Sequence, residues 1–406
     1  MTIALGDQQR RTAPRIGLAP FGRHTRYMLA GYLRHVLIVT SILLAIALTI
    51  DLWPQFQDVA ARGHDTLSAV WSVARFSGLR TPGLIAPLLP FATFIGVIWT
   101  EVAHTQSGER MLVWNSGRSP LQCLSPVLLA GLILGAADFA MDGMMGPASM
   151  GVQMAEHLGK DGTRLDRSLL SKPAWMAVGG GILRAEIEYG PPPVLHNVMF
   201  FKRDADGRLI EVDMAPLARW QEGSDHWVLQ KGQFWKASVK PGARQTSFPG
   251  KGSHQALTPF DEMAVSIDAD PLWFTWYDLM PQYIPMPVLQ RLAASDRVPE
   301  AHGQYATRFH IVLAEALLPG LMALLASSFA MLLLAYRVSA PALIGIVFSG
   351  YIAHFGTKAC LIMGQNGYMA PLLAGWLVPA LLLAAVTGVF LAVEAQRRGK
   401  FALSAG

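Results

Sequence analysis

The sequence predicts a polytopic α-helical membrane protein, with six transmembrane helices set three and three around an inserted β domain. Three observations carry this. Over 406 residues the composition is 52% hydrophobic and only 15% charged, too apolar for a wholly soluble chain. The mean hydropathy of +0.33 is nevertheless too low for a chain made only of spans, so a sizeable polar portion is averaged in. Finally, the long apolar runs fall into two groups separated by a polar interval from about 143 to 308.

A hydrocarbon core of about 30 Å needs roughly 20 mostly apolar helical residues. Runs of that length occupy 29–52, 83–103, 121–141, 309–336, 340–363 and 369–393, which divides the chain into 1–143, 144–308 and 309–406. Arg10, Arg11, Arg15, Arg23 and Arg26 precede the first run, Arg110 and Arg118 follow the second, and Arg397, Arg398 and Lys400 follow the last. With six spans these segments share one side, so the positive-inside rule predicts cytoplasmic termini and an external middle domain. The loop 53–82 holds only Arg62, Arg75 and Arg80, and 364–368 holds no basic residue. No apolar region follows Arg10 and Arg11 closely, so the first run reads as an uncleaved signal anchor. The net charge of +5 belongs to this sidedness and not to nucleic acid. Cys123 and Cys360, both in apolar stretches, read as small core residues, neither a disulfide framework nor a zinc site.

In the middle interval Leu183, Ala185, Ile187 and Tyr189 alternate with Arg184, Glu186 and Glu188, the pattern of a half-buried strand. Turn residues at 204–207 separate the apolar run 198–201 from 209–214, and those at 222–225 separate 217–220 from 227–229, which predicts hairpins. Short strands at this spacing suit a sandwich, a jelly roll or an open barrel. Residues 240–254, rich in Gly, Lys and Ser, read as a loop.

Chemical signatures are sparse. Gly250-Lys251-Gly252-Ser253 has Gln245 where a phosphate loop needs glycine. Glu101 and His104 share a helical face, but no second such pair completes a dinuclear site. No nucleophile elbow is visible. More telling is the segment 104–120, a short cytoplasmic helix between spans that carries Met111, Leu112, Val113 and Trp114 and ends at Gly117 before Ser119-Pro120. Within the spans, His354 and Lys358 lie one turn apart at about the depth of Glu315, so Glu315 is expected to pair with Lys358 with His354 beside them.

The order Leu89-Pro90-Phe91, Ser107-Gly108-Glu109, Gly117-Arg118-Ser119-Pro120, then a span and an external β domain, resembles the lipopolysaccharide-transport permease family LptF/LptG. Arg308-Phe309-His310, the run from Gly367 through Pro371 and Gly375-Trp376 to Pro379, and Ala218-Arg219-Trp220 with Trp227-Val228-Leu229 resemble it too. Asp51 and the Arg-Phe-His triplet look more like the LptG branch. The resemblance implies a six-helix permease with an external β-jelly-roll domain in the bacterial inner membrane. It would be paired with a sister permease, a cytoplasmic LptB-like ATPase dimer that binds the ATP and Mg, a membrane-anchored LptC-like protein and a soluble periplasmic bridge protein. No cofactor or metal is expected in this chain. The resemblance implies ATPase coupling for Ser107, Glu109, Met111, Leu112, Gly117 and Ser119. Arg110 stands where an apolar residue is usual and Trp114 where an arginine is common, while the outer end of the first span offers Asp51 and Asp58 in place of basic residues.

Substrate or cavity positions are expected at Asp51, Arg308, His310, Glu315, His354 and Lys358, with Leu183, Ala185 and Ile187 lining a lipid groove in the β domain. Moving acyl chains through water costs about 0.8 kcal/mol per methylene, so the expected activity is covered, vectorial lipid export without chemistry on the lipid. Two rivals remain: an intramembrane enzyme built on Glu101/His104 or Glu315/His354, and an assembly scaffold, which needs no coupling helix.

Overall fold

The computed structural model describes residues 22–115, 120–237, 257–299, 302–334 and 337–404. The first half contains α1 (Arg23–Leu52), α2 (Phe56–Ala60), α3 (Thr66–Ile85), α4 (Leu89–Gln106), α5 (Glu109–Asn115), α6 (Pro120–Ala140), α7 (Gly146–Ala155) and α8 (Gly159–Arg164). The strands β1 (Ala174–Val178), β2 (Gly181–Glu188), β3 (Val194–Arg203), β4 (Leu209–Trp220), β5 (Trp227–Lys236) and β6 (Thr258–Val265) follow. The chain then returns through α9 (Pro271–Thr275), α10 (Met286–Ala294), α11 (His302–Glu315), α12 (Leu318–Leu333), α13 (Ala340–Gln365) and α14 (Pro371–Ser404).

Among the described residues four continuous helices are long and apolar enough to cross a membrane, and two bent pairs bring the number to six if each pair is one span. The bends fall at prolines. Pro82, Pro87 and Pro90 surround the break where α3 and α4 meet at 76°, and Pro319 opens α12 at its 47° break from α11. Proline lacks an N–H and disfavours helical geometry in the residue before it, so uninterrupted apolarity at 83–103 and 309–336 does not yield one straight helix. Nor is 53–82 a loop: α3 fills its second half. Asp65 caps that helix by accepting from the Ser68 N–H at 2.9 Å, while the Ser68 hydroxyl accepts from the Asp65 N–H at 3.0 Å.

The third apolar run does not stop near 141. A π-helical turn at Met141–Met145 carries α6 into α7, so residue 143 lies inside a continuous helix of 34 residues. Inside the bundle α4 and α12 are central, with Phe94, Val97, Ala323 and Ala326 all at 0% exposure. Small residues allow the close approach. A Cβ on Gly131 of α6 would lie 2.5 Å from the Gly320 Cα of α12, and one on Gly96 would lie 2.6 Å from the Val36 backbone nitrogen of α1.

The strands form one antiparallel sheet in sequence order, β1 to β6. Both predicted hairpin turns are present, but 209–214 and 217–220 belong to one strand, β4. Among the described residues this meander has neither the second sheet of a sandwich nor the crossovers of a jelly roll. Its inner face is covered instead by helical residues, including Met150, Trp273, Phe274, Leu289 and Leu292. The segment 240–254 lies outside the described residues.

Candidate functional site

Three polar constellations interrupt the apolar bundle. The first joins α5 to the helices behind it. Ser107 ends α4 and Gly108 turns the chain at φ +76°, a conformation suited to glycine, so that α5 starts at Glu109. The Glu109 carboxylate meets His104 Nδ1 at 2.5 Å and accepts from the Tyr27 hydroxyl at 3.2 Å. Arg110 turns the other way, 7% exposed, and its guanidinium binds the buried Glu101 carboxylate and, at 3.1 Å, the Glu101 carbonyl. Glu101 Oε1 also accepts from Tyr32 of α1 at 2.7 Å and Ser327 of α12 at 2.6 Å. A cavity of about 240 Å³ lies in front, lined by residues including Tyr27, Glu109 and Met331. Met111 and Leu112 point outward, 46% and 71% exposed. Gly117 and Ser119 lie outside the described residues, and Ser107 is exposed, its hydroxyl donating to the His104 carbonyl of its own helix at 3.3 Å.

A second constellation occupies the break between α11 and α12. Lys358 Nζ lies 3.6 Å from Glu315 Oε1, the pairing expected from helix depth. His354 shares the small pocket beside them and tilts against Phe91 at 5.6 Å. Arg308, expected at a cavity position, joins them, together with two carboxylates that sequence reading missed, Asp142 and Asp138. Arg308 donates to Asp142 at 2.6 Å and approaches Glu315 at 3.8 Å, and Asp142 sits on the π-helical turn, a distortion that recurs at functional sites. Asp138, one turn before Asp142 and 1% exposed, faces the same charges. The available signal was an acidic residue ending one apolar run and a basic one opening another. His310, one residue beyond Phe309, instead packs against α14, where a Cβ on Gly375 would come within 2.8 Å of its own Cβ.

The third constellation removes Asp51 from the free carboxylates. Arg80 grips it with two hydrogen bonds, Nε at 2.8 Å and Nη2 at 2.6 Å, and approaches Asp161 at 3.6 Å. The cation beside the end of α1 is therefore supplied by α3.

The family model described as lipopolysaccharide export system permease LptF/LptG matches residues 26–392. The chain belongs to that family. No curated protein matches it. LptF/LptG proteins are transporter permeases, not enzymes, and this LptF/LptG chain has the apolar helices and the sheet domain that fit the description. Among the described residues no cluster of His, Cys, Asp and Glu could hold a metal ion. In this LptF/LptG permease Leu183, Ala185 and Ile187 are at 0%, 1% and 0% exposure. Expected to line a groove, they are core side chains beneath the helical cover, because alternation alone cannot tell a lipid-lined face from a sealed one.

Proposed function

We propose that this LptF/LptG permease is one of two sister permeases in an ATP-driven exporter, of the LptG-like branch, that takes lipopolysaccharide from the outer leaflet of the inner membrane to a periplasmic bridge. Both termini lie in the cytoplasm and the sheet domain in the periplasm. ATP and Mg are bound by a separate LptB-like dimer, and an LptC-like membrane-anchored protein completes the path. The observation that carries this reading is α5: a short helix between two apolar helices, pinned at its first turn, with Met111 and Leu112 exposed. An assembly scaffold has no use for such a helix, and the hydrogen bonds of the buried Glu101 to Arg110, Tyr32 and Ser327 suit a structural role for that carboxylate.

Affinity purification in mild detergent tests the proposal. The expected copurifying chains are a cytoplasmic ATPase and a second permease, and recovery of the chain alone would overturn it. Glu109→Lys is expected to leave the protein inserted while separating ATP hydrolysis from lipid export. Normal export in that variant would count against a coupling role for α5.

A further inference from the structure

Glu101 is a junction of four elements. It belongs to α4, receives hydroxyl donors from α1 and α12, and binds the guanidinium that α5 sends inward. Both charges are removed from water, with side chains 5% and 6% exposed. In such surroundings a pair is retained only with good geometry and further hydrogen bonds, and separating it leaves uncompensated charge. The contact also bridges the Gly108 elbow, where the chain turns from α4 into α5. By contrast, the Glu109 carboxylate that meets His104 and Tyr27 is 40% exposed, so solvent weakens those contacts.

We propose that the Glu101–Arg110 pair is the joint that carries displacement of α5 into α1 and α12. The proposal rests on the coupling role of α5 set out above. An apolar residue at 110 could fill the space, but dispersion contacts let one helix slide over another. One guanidinium nitrogen, Arg110 Nη2, bound to both the carboxylate and the backbone carbonyl of Glu101 fixes direction as well as distance. Arg110 and Glu101 are therefore positioning residues: neither is assigned contact with lipid or nucleotide.

The test uses the complete complex in nanodiscs containing lipopolysaccharide, with ATP hydrolysis and lipid release to the bridge protein measured together. The double variant Glu101→Gln/Arg110→Met leaves no buried charge and keeps an acceptor for Tyr32 and Ser327. It is expected to assemble and hydrolyse ATP, with lipid released per ATP falling roughly tenfold, the scale of a typical coupling free energy. Arg110→Lys keeps the charge but replaces the planar guanidinium with a shorter, freely rotating ammonium, and a smaller fall in the same ratio is expected. An unchanged ratio in either assembled variant overturns the joint, as does a proportional loss of hydrolysis and release. If the wild-type complex contains no ATPase, the coupling reading fails and the joint fails with it. Normal wild-type coupling with unchanged variant ratios removes the joint alone.

Discussion

Arg308 faces Asp142 at 2.6 Å and Glu315 at 3.8 Å from a side chain 8% exposed. Arg308→Ala strands Asp142 and leaves Glu315 to Lys358 alone, with an expected loss of roughly 3–5 kcal/mol of stability that thermal unfolding in detergent would register. A shallower effect is expected at Asp65, where hydrogen bonds from the Ser68 side chain and backbone hold the carboxyl below its ordinary value. A lowered value means the cap contributes above the unfolded aspartate pKa of about 3.9 and fades as pH falls through the folded one. Protection factors at the start of α3, exchange rates normalised to the intrinsic rate at each pH, should therefore fall on acidification in the wild type and be less pH-dependent in Asp65→Ala. At this scale the Glu315–Lys358 pair was legible because helix rise fixes depth and a buried charge demands a partner. The inward turn of Arg110 was not, since spacing on a seven-residue helix cannot say which face meets the bundle.

Helix existence was legible wherever apolarity ran uninterrupted, and α1, α13 and α14 overlap their predicted spans closely. Breaks were less so. Proline marks where a helix can bend, but the 76° angle depends on what α4 packs against. The helix α3 was hidden because Arg75, Arg80 and several hydroxyl residues dilute its hydropathy, although Asp65 and Ser68 were available as a capping signal. Close crossings give this scale its prediction. Gly131→Leu drives a side chain into the α12 backbone and is expected to cost at least 1–3 kcal/mol, about the penalty for overpacking. Gly345→Ala on α13, where an added Cβ meets nothing within 4 Å, is expected to be nearly silent in the same unfolding assay.

For the molecule as a whole, the ionic cluster ties the end of the first helical group to the start of the second. We expect it to border the lipid path. Charge reversal is a blunt probe here, because a lysine placed at Glu315 would confront Arg308. The neutral pair Glu315→Gln/Lys358→Met avoids that clash. It is expected to fold while lowering lipid export several-fold, within the usual 5–150-fold span of coupling effects, whereas unchanged export would leave the pair a structural one. The three-and-three arrangement was legible because it needs only the location of apolar runs. The single sheet was not, since strand spacing does not reveal whether helices or another sheet supply the cover. That cover leaves the sheet one-sided, with consequences for how the gene can vary. Along β2, Leu183, Ala185 and Ile187 answer to close packing, while Arg184, Glu186 and Glu188 answer to water or to whatever passes over the other face. A saturation-mutagenesis profile of 181–188 should thus oscillate with a period of two, and substitutions that retune the domain should accumulate only on alternate codons.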